Sequence, residues 1–316
     1  MKLLVVGSVA YDSVETRHGK VDRALGGSAT FFAMASSLFT ATSVVAVVGE
    51  DFHRSDLDRL ERRGVDVSGV EFAEGHTFRW GGKYSRHFET RTTLFTELNV
   101  FANFKPKLPQ KHAAADLVFL ANIHPDLQYD VLEQCKQPRF VALDTMNFWI
   151  SGERPSLERV LRRVDALFLN DEEAFALSGE GNVIQAARKI HAMGPQTVVI
   201  KRGEHGAVLI HGGQAWILPA VMLDHVVDPT GAGDTFAGGF MGYLARQPRI
   251  DTAALQGAMV AGTIAASFAV QDFSVDAIER ATMADMRSRH ELLCSGLLPS
   301  GLNLAAVEGN LPTVAA

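Results

Sequence analysis

Asp228 and Asp234 stand six positions apart in the stretch VVDPTGAGDTFAGGF, with Pro229, Thr230, Gly231, Ala232 and Gly233 between them. Gly231 and Gly233 carry no Cβ and tolerate positive φ, so neighbouring backbone N–H groups can turn inward together. The following residues, Asp234 to Arg246, are poor in charge and long enough for a helix. A glycine turn that feeds a helix N-terminus is a ready anion site, because orphan N–H donors and the helix dipole point the same way. A carboxylate there would compete with the anion, unless its partner is something else. One chemistry accommodates both. The amides would hold a transferring phosphoryl group, while Asp234 accepts a proton from an attacking hydroxyl. The plainer alternative is a glycine turn that packs helix on strand, with Asp234 as a helix cap.

Such a site needs a scaffold. Apolar runs at 3–7, 43–49, 117–121, 140–144, 166–170 and 197–201 read as strands. Helical segments lie between them, at Ala29–Phe39, Ser55–Arg63, Asp126–Lys136, Pro155–Arg163 and Val183–Met193. Continuous apolar strands separated by helices predict a mainly parallel sheet covered on both faces. One region breaks the alternation. Residues 70–98 are rich in Thr, Phe and Arg, and TFRW–GG–KYSRHF has the form of a β-hairpin turning at Gly81-Gly82. With one or two strands from Ala10–Gly27 it predicts a small β subdomain over one end of the sheet. A second hairpin, 207–218, turns at Gly212-Gly213.

The 316 residues are 47% hydrophobic and 21% charged, which is ordinary for a globular chain with a sizeable core. A net charge of −6 without a Lys/Arg block argues against nucleic acid as a partner. Cys135 and Cys294 offer neither a disulfide framework nor a Cys-based zinc site, as expected in a reducing cytosol. The N-terminal apolar run is too short for a signal peptide. Ala253–Val270, the most apolar long stretch, is rich in Ala and Gly and reads as a buried helix rather than a membrane span. The expected location is cytoplasmic. There is no G-x-x-x-x-G-K-[ST] loop, no G-x-G-x-x-G after the first strand, no H-E-x-x-H and no G-x-S-x-G, so P-loop, dinucleotide, zincin and serine-hydrolase readings lack their residues.

DPTGAGDTFAGGF is similar to the C-terminal signature of the ribokinase-like (PfkB-type) carbohydrate kinases, with its D-T-x-G-A-G-D core. Three other stretches agree in order. Gly26-Gly27-Ser28 follows Asp12, Asn170-Asp171-Glu172-Glu173 matches N-x-x-E, and Lys201-Arg202-Gly203-Glu204-His205-Gly206 matches K-x-G-x-x-G. The resemblance covers roughly residues 1–290.

It implies a three-layer α/β/α fold with a mainly parallel sheet and a small β lid drawn from about 10–27 and 70–100. The kinase domain would span 1–295, leaving 296–316 as a loosely ordered tail. The implied activity is ATP-dependent phosphorylation of a hydroxymethyl group on a sugar or nucleoside. Asp234 would be the base, and Gly231, Ala232 and Gly233 the anion hole. Asp12, Gly26, Gly27, Ser28 and Asn122 would face the acceptor. Asn170, Lys201, Gly203, Gly206 and Thr230 would line the nucleotide, with adenine between the Gly203–Gly206 loop and the helix near Ala261–Phe268. Glu173 would serve Mg2+ through water, and a monovalent cation is admitted beside Asp228. Lids in this family often pair across dimers, and Phe78, Trp80 and Phe88 would leave an apolar edge on a monomer, so a homodimer through the lid is expected.

One position departs from the pattern. The family commonly reads G-G-x-x-x-N, and here the Asn position is Phe31. Either the ring packs into the core, or the acceptor has fewer hydroxyls there or carries a base that stacks on aromatics. Arg79, Trp80 and Trp149 are further candidates for shaping that pocket. A sugar, a nucleoside, and a non-catalytic sensor of the same fold all remain open at this point.

Overall fold

The computed structural model describes residues 1–297. Its large sheet has nine strands: β1 (Leu3–Val6), β4 (Thr42–Gly49), β5 (Asp66–Ala73), β8 (Leu117–Leu120), β9 (Phe140–Asp144), β10 (Ala166–Asn170), β11 (Thr197–Lys201), β12 (Ala207–His211) and β13 (Gln214–Leu218). Their spatial order is β13-β12-β11-β10-β9-β8-β1-β4-β5. All neighbours run parallel except β11–β12 and β12–β13.

Alternate residues of the central strands enter different cores, which is why those strands are apolar throughout rather than alternating. Leu3, Val5, Val44 and Ala46 join one core with the helices Ser28–Ser36, Arg54–Arg62, Ala232–Leu244 and Thr252–Ala269. Leu4, Val6, Val45 and Val47 join the other, against Pro125–Gln134, Arg154–Leu161, Asp171–Ser178 and Val183–His191. Three layers result. The helix Thr252–Ala269 is long and apolar enough to cross a membrane by composition, but 67% of it is buried within the fold. It is the core helix that its small residues predict.

The small sheet has the order β3-β2-β6-β7, from β2 (Ala10–Thr16), β3 (Gly19–Gly26), β6 (Arg79–Tyr84) and β7 (Arg91–Glu97). The chain from residue 70 divides: β5 extends the large sheet to Ala73, and only from Arg79 does it enter the small one.

The expected turn at Gly81-Gly82 is not there. β6 runs straight through both glycines with a register shift against β7. A methyl group on Gly81 would lie 2.3 Å from the Phe95 ring, and one on Gly82 would lie 2.1 Å from Trp80. These glycines clear space for aromatic rings on a pleated strand. The reversal comes later, where Ser85 N–H donates to the Thr90 carbonyl at 2.9 Å and Phe88 adopts φ 62°. Gly212-Gly213 does turn, with φ 56° and 79° between paired His211 and Gln214, as a two-residue I′ hairpin requires.

The expected apolar lid edge is also absent as drawn. Phe78 stacks on Phe101, Arg91 covers Trp80, and Phe88 lies against Tyr84 and His18, so all three rings are half-buried within the protomer. Of the tail, 296–297 end the helix Met283–Leu297, and 298–316 lie outside the described residues.

Candidate active site

The parallel strands end on one edge, and three neighbouring strands, β9, β10 and β11, end there on polar residues. Asn170 closes β10 directly opposite Lys201, which closes β11, and Asp144 closes β9. Asn122 follows β8 by two residues. Ligands in open α/β sheets bind at this carboxyl edge.

The glycine turn meets it there. Gly231 adopts φ 73° and caps the helix Ala232–Leu244 without any side-chain hydrogen bond. Asp234 is therefore the third helical residue and not the cap. The Ala232 N–H donates to the Pro229 carbonyl at 3.2 Å. The amides of Gly231 and Gly233 have no acceptor among the described residues, so they are the donors free for an anion. Lys201 abuts the turn: a methyl on Gly233 would stand 3.0 Å from its Nζ. The same Nζ donates to Asp144 Oδ2 at 3.0 Å. Asp228, fully buried beneath, accepts from the Thr230 N–H at 2.9 Å and orders the loop.

Burial is the main influence raising the Asp234 pKa; Asp144 and Glu173 add to it and Lys201 opposes it. Glu173 is pushed up to about 7 by burial and then by Asp144. Burial disfavours the Lys201 charge, yet Asp144, Glu173 and Asp234 together hold its pKa above the ordinary lysine value. Acids with raised pKa beside a cation and free amides mark a reactive site rather than a solvated face.

Asp12 faces the turn from the other side. It is 8% exposed, and its pKa is pushed up to about 7 by burial, then by Asp228, with Asp234 adding to it. Its carboxylate lies on Gly26, where a methyl would overlap Asp12 Oδ2 at 2.1 Å. Gly27 holds φ 95° where a methyl would strike the Ser8 carbonyl.

The large sheet and its small lid sheet have a fold shared with solved kinases. The pattern described as pfkB family carbohydrate kinase matches residues 2–278. The chain belongs to the PfkB family of carbohydrate kinases. A cytidine kinase from Thermococcus kodakarensis is 32% identical over 256 residues, 78% of this chain and 90% of that protein. A 2-dehydro-3-deoxygluconokinase from Escherichia coli is 30% identical over 297 residues, 83% and 94% of the two. An Escherichia coli ribokinase-type protein solved with ATP and Mg2+ has the same fold, with a TM-score of 0.74 at 18% identity, covering 92% of this chain and 99% of that one. As a PfkB kinase the protein is a phosphotransferase acting on sugars or nucleosides.

Several expected site residues have different work in this PfkB chain. The Ser28 hydroxyl is engaged 3.0 Å from Ser8 Oγ, and its N–H donates to the same atom, so Ser28 braces the Gly26-Gly27 turn. Phe31 is 2% exposed, and a methyl on Gly231 would stand 2.3 Å from its ring. The ring is buried core packing against the Gly231 turn. Asn170 and Glu173 form a capping box: each side chain accepts the other's N–H at 2.8 Å. Gly206 is a structural turn, since a methyl there would meet the Leu218 carbonyl at 2.0 Å, whereas Gly203 is open.

Asn122 is held from the side, its amide oxygen accepting from Trp149 Nε1 at 2.8 Å. Trp149 in turn lies edge-on to His124 and Phe148, with ring centroids 5.1 and 4.9 Å away, and Phe148 is 64% exposed. Arg79 instead lies over Phe95 near Glu97, within the lid.

Among the described residues no three His, Cys, Asp or Glu side chains form a ready-made metal cage. Glu173 is already held by its capping bond. Asp144, Glu173 and Asp234 nevertheless bring more negative charge than Lys201 offsets. That donor set suits Mg2+ arriving with its own waters and phosphate oxygens, which is how this ion prefers to bind.

Proposed function

We propose that this chain transfers the γ-phosphoryl group of ATP to a hydroxymethyl group of a sugar or nucleoside, with Asp234 as general base. The observation that carries the reading is the meeting of Asp234, the Gly231 and Gly233 amides (unpartnered among the described residues) and Lys201 at one helix N-terminus, with Asp12 opposite. Asp12 and Asn122 orient the acceptor so that its hydroxyl faces Asp234. Asp234 takes the proton as the oxygen attacks phosphorus, and the proton stays on its carboxyl as ADP leaves. The two amides and Lys201 take up charge on the phosphoryl oxygens without reorganising. Mg2+ bound with the phosphates, near Glu173 and Asp144, would neutralise further negative charge.

Mixing the protein with ATP, Mg2+ and a panel of sugars, sugar acids and nucleosides should give ADP well above background with at least one acceptor. If none does while ATP still binds, the non-catalytic sensor reading replaces this one.

Within the panel, a nucleoside has a specific observation in its favour. Phe148 is an exposed ring on a half-buried aromatic support, and Trp149 joins that support to Asn122. A base could stack there, at about 1–3 kcal/mol per base. Phe148→Ala should therefore raise KM about tenfold or more for a nucleoside and leave a sugar acid's KM within about twofold. Equal effects on both would remove the stacking role. Homodimer pairing through the lid would draw on the exposed Leu94 of β7 and Leu98 just beyond it as apolar contacts.

A further inference from the structure

The lid touches the anion turn at one polar point. Tyr84, the last residue of β6, places its hydroxyl 3.1 Å from Thr230 Oγ1 in a shared hydrogen bond. Thr230 is also held from below, where its N–H donates to buried Asp228. The residue that opens the turn is thus gripped by the lid through its side chain and by the core through its backbone.

We propose that Tyr84 is a positioning residue that latches the lid hairpin to the anion turn through Thr230, so that lid closure and the alignment of the Gly231 and Gly233 amides are one event. The proposal rests on the reading of that turn as the phosphate site.

Three features support it. Ring packing alone would be served by Phe, since Tyr84 lies 6.1 Å from Phe88 in a tilted pair that needs no hydroxyl. Burial is the largest influence raising the Tyr84 pKa, so the hydroxyl stays neutral and able to donate or accept. Arg91 pairs with Tyr84 at the turn end of the hairpin, and its guanidinium lies 5.3 Å over the Trp80 ring. Its charge reaches the site as well, drawing down both Tyr84 and Glu173. The hairpin therefore brings a hydroxyl and a cation to the phosphate side together. A lid held this way excludes water while the acceptor is aligned.

Hydrogen exchange of the β6–β7 amides tests the latch without any turnover. Tyr84→Phe and Thr230→Val should each speed exchange across 79–97 about fivefold, the usual net worth of one hydrogen bond. The double variant should be no faster than either single, because both remove the same bond. Wild-type exchange in Tyr84→Phe, or effects that add, would overturn the proposal. A second readout is the partition of ATP between acceptor and water. Tyr84→Phe should raise ADP formation without acceptor relative to that with it, and an unchanged ratio counts against the latch. If exchange is coupled but no acceptor supports turnover, the kinase reading fails and the latch stands. If turnover is present and exchange is uncoupled, the latch alone fails.

Discussion

Asp234→Asn should lower kcat by about 10²–10⁴-fold, the usual worth of a positioned general base. The substitution keeps the shape of the third helical residue but removes the lone pair that takes the hydroxyl proton. Gly231 caps the helix and Asp234 makes no capping bond, so helix stability is not confounded with chemistry. ATP affinity should be unchanged or tighter, because a negative charge beside the γ-phosphate has gone. The wild-type pH profile gives a second measurement. Burial and the neighbouring acids raise the Asp234 pKa, so kcat/KM should fall as pH drops through a value well above the ordinary carboxylate range. That apparent value belongs to Asp234 together with Glu173, which burial pushes to about 7. Asp228→Asn is the control. Its oxygen can still accept the Thr230 N–H, so kcat should change far less. Near-normal turnover in Asp234→Asn, with an unshifted melting temperature, would mean the base has been misassigned.

The sheet was legible because nearly every buried strand is a short unbroken apolar run, a pattern set by local residues alone. What depended on distant contacts was not. Gly81-Gly82 and Gly212-Gly213 are the same dipeptide, yet one clears room for Trp80 and Phe95 and the other turns. Only the rings across the strand decide between them. Asp12, Asp234 and Lys201 come together as their motifs implied. The Ser28 hydroxyl is paired with Ser8, twenty residues earlier, a contact that the local motif does not show. Phe31 was ambiguous from sequence for the same reason: its contact is Gly231, far along the chain. Asp144 was missed although a signal existed. It ends the apolar run FVALD, and an acid at the carboxyl end of a parallel strand stands where such sheets bind ligands. Tyr84 and Arg91 had no such signal, since their approach to the site depends on where the lid folds.

Lys201→Met should damage both chemistry and stability. Nζ is the cation beside the Gly233 turn, so its loss should cost about 10²–10³-fold in kcat, comparable to removing one preorganised donor. It is also the partner of Asp144, whose side chain is 7% exposed against 16% for the lysine. Breaking a buried pair from one side leaves a charge without compensation, at about 3 kcal/mol. The pH dependence separates the causes. The Lys201 pKa is raised above an already high ordinary value, so its own stabilising charge is present throughout pH 5–8. Removing it lets the Asp234 and Glu173 pKa values rise further, because Lys201 is the group that lowers both. An acid whose folded pKa is raised favours the fold fully below its unfolded pKa and loses that contribution as pH rises through the folded value. The melting-temperature deficit of Lys201→Met should therefore be largest near pH 8 and shrink toward pH 5. Asp144→Asn should show a smaller deficit, since Glu173 and Asp234 still face the lysine. A deficit in Lys201→Met that is independent of pH would place the lysine outside the acidic cluster, and the charge balance drawn for this site would fall with it.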